Sequence, residues 1–411
     1  MTYNFDQLID RSGSGDLKHE VLKARYGRDD LIPLWVADMD FAAPPFILDA
    51  IRQRMEHPIF GYTIEPHDYW PTVCQWIKEH HGWVVRPQWL TYIPGVVKGI
   101  GMAINALTRP GDKVIIQTPV YHPFRMTIEG NGREVVVNQL KESDPSTSSG
   151  QVSFYEMDFD HLLSVIDGCK LFVLCNPHNP GGIAWQRETL VRLAHICHEH
   201  GATVLSDEIH ADLALFGHCH IPFATVSPEA EEISITFQAP TKTFNLAGIV
   251  SSYAIVPNDA LRKKYYGWIS ANELNEPNIF APIATIAAYK HGELWRREML
   301  SYIEGNILFA EQYFREHIPG IRVIRPESSF LVWLDCRALG LDHDALQDLF
   351  VNGARLALND GEIFDTQGNP YAPLHNEQSA GRGFMRLNVG TPRNILQQAL
   401  TQLEEAVNNG K

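Results

Sequence analysis

Short apolar, β-prone runs recur through the middle of the chain, each separated from the next by a stretch with helical character. They are Tyr92-Ile93, Val114 to Ile116, Val135 to Val137, Leu171 to Leu174, Val204-Leu205, Ile233 to Phe237 and Ser252 to Ile255. Alternation of this kind predicts an α/β fold: a mostly parallel seven-stranded sheet with crossover helices on both faces. One stretch interrupts it. Residues 141–151 contain Ser-Thr-Ser-Ser-Gly and no apolar period, and read as an exposed loop.

The two ends read differently. Residues 1–45 are polar and rich in turn residues, broken by Gly13, Gly15 and Pro44-Pro45, and predict an arm that contributes to a smaller domain. A helix follows over about 46–55, its prolines standing where a helix start tolerates them. From Ile283 to His317 helix formers dominate, with a weak point at Gly305. Strands at 321–324, 330–334 and 384–388 with helices near 343–352 and 393–408 then predict a smaller α+β domain. The expected division is an arm (1–45), a large domain (46–285) and a small C-terminal domain (286–411).

With 411 residues, 45% of them hydrophobic, the chain can bury a large core. A formal charge of −15 argues against nucleic acid or an anionic membrane as partner. Met1 to Arg11 lacks the apolar core of a signal peptide and no run is long enough to span a bilayer, so the expectation is a cytoplasmic protein. Six cysteines without C-x-x-C spacing read as small buried residues rather than a disulfide framework.

Candidate chemistry gathers where the apolar runs end. Lys242 lies in Ala239-Pro240-Thr241-Lys242-Thr243-Phe244-Asn245, directly after the run ending at Phe237. A lone loop lysine is more often simply solvated, but one enclosed by small and hydroxyl residues suits an amine that forms a Schiff base with a carbonyl, most often that of pyridoxal phosphate (PLP). Asn176-Pro177-His178-Asn179-Pro180 and Ser206-Asp207-Glu208-Ile209-His210 also follow apolar runs, at the strand ends where open α/β sheets place ligands. Pro94-Gly95-Val96-Val97 opens a helical stretch, whose free N–H groups and dipole favour a phosphate. Taken singly, Asp207 could equally be a helix cap and Asn179 a turn residue.

The order Gly95, Asn179, Asp207, Lys242 resembles fold-type I PLP enzymes of the aspartate aminotransferase superfamily. Trp35 to Phe41, Gly61-Tyr62, Pro94 to Val97, Pro119-Val120-Tyr121, Asn176 to Pro180, Asp207 to Leu213 and Lys242 to Asn245 are together similar to the MalY/PatB family of cystathionine β-lyases, also called C–S lyases. The likeness runs from near the N-terminus to Arg386 and implies the fold-type I PLP-dependent transferase architecture.

That resemblance implies roles. Lys242 would hold PLP and shuttle the Cα proton, Asp207 would pair with the pyridine nitrogen, and Asn179 would donate to the phenolic oxygen. Tyr121 would stack on the ring. Gly95, Val96 and Val97 would bind the phosphate through main-chain N–H groups, with Thr241 and Thr243 as helpers. Arg386 would grip the substrate carboxylate, with Asn179 and Ala37 beside it. Tyr62 would reach the cofactor of a neighbouring subunit, making a homodimer with shared sites. The chain departs from related patterns in three places: Lys18 is followed by His19-Glu20 instead of Trp-Asp, and Ala239 and Val250 stand where many aminotransferases have a serine and an arginine.

The implied reaction is α,β-elimination of cystathionine or another S-substituted cysteine to pyruvate, ammonia and a thiol. Two alternatives stay open: a class I/II aminotransferase, and a regulatory partner of a transcription activator alongside catalysis. His210, His218, Cys219 and His220 are close in sequence, but no second cluster has ligand spacing and no metal is expected. His178 and His210 read as polar groups standing behind the site.

Overall fold

The structure is a computed structural model that describes residues 2–143, 153–365 and 379–409. Seven strands form one sheet: β1 (Leu90–Ile93), β2 (Lys113–Ile116), β3 (Glu134–Val137), β4 (Cys169–Cys175), β5 (Thr203–Asp207), β6 (Ser234–Gln238) and β7 (Ser252–Ile255). Their spatial order is β1-β7-β6-β5-β4-β2-β3. Only β7 runs against its neighbours, antiparallel to both β1 and β6. Strands β1 to β6 therefore all deliver their carboxyl ends to one edge, and β7 begins there.

Both faces of the sheet are covered. In β4, Leu171, Val173 and Cys175 enter one core with Ile100 and Ala103 of α1 (Val96–Leu107), while Phe172 and Leu174 enter another with Leu190 and Leu193 of α2 (Arg187–Glu199). Burial on both faces is why these strands are written as continuous apolar runs. Helix α1 lies unusually close to the sheet. A Cβ on Gly99 would stand 2.4 Å from Ile93 Cδ1, and the Tyr265 hydroxyl donates to Gly99 O at 2.9 Å. That contact fixes where the helix starts, and the start is part of the site.

The region beyond residue 280 differs from expectation in detail. Two helices, α3 (Phe280–His291) and α4 (Glu293–His317), meet at Gly292, and Gly305 lies inside α4. At Gly292 a Cβ would stand 2.2 Å from Ala288 O and 2.4 Å from the Phe244 ring, so the glycine marks a close approach. At Gly305 the intrinsic cost of about 1 kcal/mol is outweighed by burial of the neighbouring Ile303 and Ile307. Four strands, β8 (Arg322–Ile324), β9 (Leu331–Asp335), β10 (Asn359–Asp360) and β11 (Phe384–Asn388), make an antiparallel sheet in the order β8-β9-β11-β10. The helix expected at 343–352 is regular only over His343–Asp348 and continues as a wider turn over Leu349–Gly353. A final helix spans Arg393–Asn409.

Within the interrupting stretch, Lys141–Glu142 is not loop but pairs antiparallel with Tyr155–Glu156, while residues 144–151 lie outside the described residues. The arm is held at two points. Ile32–Pro33 pairs in parallel with Leu356–Ala357. Lys18 is fully buried, its ammonium on both Asp40 oxygens at 2.8 and 2.9 Å, and Arg11 ties Asp40 at 2.8 Å to Asp38 at 2.9 Å. The lysine anchor thus survives the change to His19-Glu20 beside it.

Candidate active site

A cavity of about 260 Å³ opens at the edge where β1, β4, β5 and β6 end. Lys242 enters it from the turn after β6 and donates to Ala37 O at 2.5 Å. The amine faces the cavity but is otherwise enclosed by protein. Burial pushes its pKa down to about 8; Asp38 opposes that shift and the Arg386 charge adds to it. A lysine so placed is largely neutral in mild base, which a nucleophilic amine requires.

The strip that supplies Ala37 O bends and joins no sheet, so its carbonyls must find partners elsewhere. Arg386 Nη2 and Asn359 Nδ2 each donate to Trp35 O at 2.8 Å. Asn388 Nδ2 donates to Val36 O and Asp38 O at 2.6 Å. Asn245, three residues past the lysine and in the left-handed region at φ 56°, donates to Met39 O at 2.8 Å and Phe41 O at 2.9 Å and accepts from Met39 N at 3.0 Å. Asn tolerates that backbone shape, and its amide ties the lysine turn to the strip opposite.

Asp207 closes β5 and is 4% exposed. Burial pushes its carboxyl up to about 7, against a backbone hydrogen bond in which Ile209 N donates to Oδ1 at 3.1 Å. Asn179 also lines the cavity. Its Oδ1 accepts from Arg386 Nη1 at 3.0 Å, which orients the amide and leaves Nδ2 for another acceptor. Tyr121 and Thr241 line the cavity as expected, but Thr243 does not: its hydroxyl donates into the core, to Asp212 Oδ2 at 3.2 Å. Thr241 and Thr243, two residues apart in that turn, point to different sides, so only Thr241 reaches the cavity.

The helix start completes the wall. Gly95 has φ 127° and ψ 146°, a shape closed to residues with a Cβ, and the first helical bond is Gly99 N to Gly95 O at 2.8 Å. The N–H groups of Val96 and Val97 precede that bond and have no helical acceptor.

Two sequence-predicted residues stand apart from the cavity. Arg386 is buried behind Asn179, both its terminal nitrogens in use and Nε without a partner. Tyr62 is fully exposed at 106% and does not meet this chain's own cavity. His210 differs from expectation in the opposite sense. It lines the cavity, is 4% exposed, and its Nδ1 has no partner. Burial, then the charges of Lys242 and Arg386, lower its pKa to about 3, so it is a neutral imidazole. His178 does stand behind, facing Pro119 O at 3.0 Å and accepting from Gly181 N at 3.3 Å. His220 pairs with Glu208 at 2.8 Å. Among the described residues no three His, Cys, Asp or Glu side chains converge as a metal set.

Buried Asp207 with one oxygen unbonded, an amine lowered in pKa, an aromatic ring at Tyr121 and a glycine-opened helix start form a donor set that fits PLP.

Comparison with known proteins agrees. Residues 29–403 match the family Aminotransferase class I and II. The chain is 41% identical over 406 residues to cystathionine beta-lyase PatB of Bacillus subtilis, covering 98% of this chain and 100% of that one. It is 30% identical to the protein MalY of Escherichia coli, covering 98% and 99% of the two chains. Among solved structures it superposes on PLP-containing cystalysin from Treponema denticola with a TM-score of 0.91 at 30% identity, covering both chains completely. The chain belongs to the class I and II aminotransferase superfamily of fold-type I PLP enzymes, within its MalY/PatB branch. Among the described residues no helix is long and apolar enough to cross a membrane.

Proposed function

We infer that the protein is a PLP-dependent carbon–sulfur β-lyase that cleaves cystathionine or another S-substituted cysteine to pyruvate, ammonia and a thiol. The observation that carries this reading is the enclosed Lys242 amine, lowered to about 8, sharing one cavity with buried Asp207 and with Asn179. When bound, PLP supplies an electron sink for the pair left on Cα after proton loss. Lys242 would hold the cofactor and, as a free amine, would move the Cα proton. Asp207 keeps the pyridine nitrogen protonated. Gly95, Val96, Val97 and Thr241 hold the phosphate, and Tyr121 covers the ring. Asn179, oriented by Arg386 behind it, would meet the substrate carboxylate near Ala37, and Arg386 would reach that carboxylate only by exchanging its bond to Asn179 Oδ1 for it, so that the C–S bond is presented for cleavage.

Elimination and transamination share a Cα carbanion and part afterwards. With cystathionine and no added 2-oxo acid, the protein is expected to release pyruvate, ammonia and a thiol over many turnovers. An aminotransferase stops after one half-reaction under those conditions. Turnover that needs an added 2-oxo acid, with amino groups recovered on it, overturns the lyase reading.

The proposed working unit is a cytoplasmic homodimer, each chain formed of an arm (1–45), a large domain (46–285) and a small domain (286–411). Exposed Ile59, Phe60, Tyr62 and Ile64 support an interface that carries Tyr62 to the opposite cavity. Mixing Lys242→Ala with Tyr62→Phe should then restore up to about a quarter of intact sites, because half of the dimers are mixed and each has one unaltered site. No recovery, with subunit exchange demonstrated and Tyr62→Phe alone impaired, counts against sharing.

A further inference from the structure

We propose that Lys98 supplies the positive charge that meets the phosphate group of the cofactor. The proposal deepens the PLP reading and rests on it. A bound phosphate monoester brings close to two negative charges, more than main-chain N–H groups alone neutralise. Lys242 and Lys98 are the cationic residues lining the cavity, and Lys242 is committed to the Ala37 carbonyl and to its chemistry. Val250, which also lines the cavity, offers no charge.

Lys98 stands in the first turn of α1. Helical side chains lean towards the helix N-terminus, and here the stem does so: a Cβ on Gly95 would meet Lys98 Cδ at 3.8 Å. The stem thus runs back towards the start of the helix, whose free N–H groups at Val96 and Val97 and whose dipole already favour an anion. Among the described residues no hydrogen bond or ion pair engages the Lys98 ammonium. The same cavity holds two buried polar side chains, Asp207 and His210, and Nδ1 of His210 has no partner, so the helix start is one wall of a built site and not an isolated terminus.

The test separates the phosphate from the rest of the cofactor. Holoenzyme is dialysed to equilibrium against graded PLP, and in parallel against pyridoxal, which lacks the phosphate; bound cofactor is read from its visible absorbance. Lys98→Ala, a change that suits an exposed helical position, should weaken PLP about 10- to 100-fold and leave pyridoxal unchanged, with Lys98→Arg close to the parent. Equal weakening of both compounds overturns the proposal in favour of a role in the helix start. Unchanged PLP affinity overturns it too. A parent protein without a visible band fails differently, since it removes the cofactor reading itself.

Discussion

Lys242→Ala is expected to cut turnover by at least about 10⁴-fold, because one side chain supplies both the cofactor anchor and the base at Cα. The visible absorbance of the holoenzyme should shift, and borohydride should no longer fix cofactor to the chain. Arginine at this position should do no better: it keeps a cation in the cavity but cannot present a neutral amine. The expectation rests on the enclosure of the amine, whose pKa of about 8 is set mainly by burial, and on its placement by Ala37 O at 2.5 Å. Unchanged absorbance, with borohydride labelling elsewhere on the chain, would remove Lys242 from the centre of the mechanism.

The parts of this site legible in sequence share one property: each lies immediately after an apolar run. Asn179 and Lys242 follow β4 and β6, Asp207 closes β5 and Gly95 follows β1, so the pattern that located the strands located the residues at their ends. What sequence reading missed depends on contacts between distant segments. Asn359 and Asn388 hold the strip beside Lys242 from more than 320 positions further along the chain, and nothing local to either marks that task. His210 is likewise separated from a merely supporting histidine such as His178 only by where its ring points. Local signals were ambiguous elsewhere for the same reason. A glycine signals a break as readily as a close approach, so Gly305 drew attention that belonged to Gly292, and a two-residue strand such as β10 leaves no period to read.

Asp207→Asn should act in opposite directions with and without cofactor, and the sign of each follows from the carboxyl's position near 7. An unfolded carboxylic acid of this kind titrates near about 4. The cofactor-free fold therefore holds this proton more tightly than the unfolded chain does, and its stability falls as pH rises between those two values, the full loss being present above about 7. Asparagine carries no charge to bury. Cofactor-free Asp207→Asn should accordingly melt higher than the cofactor-free parent at pH 8, by on the order of a few kcal/mol of stability, and differ little from it at pH 4. With PLP the order reverses. In the parent a protonated pyridine nitrogen would offset the carboxylate's desolvation, whereas the amide offers it no counter-charge; breaking such a buried pair costs about 3–5 kcal/mol, so cofactor affinity and turnover should fall by roughly 10²- to 10⁴-fold. Paired melting curves at the two pH values, each with and without PLP, read both effects. Full activity and unchanged cofactor affinity in the variant would reduce Asp207 to the acceptor of the Ile209 N–H in the turn after β5.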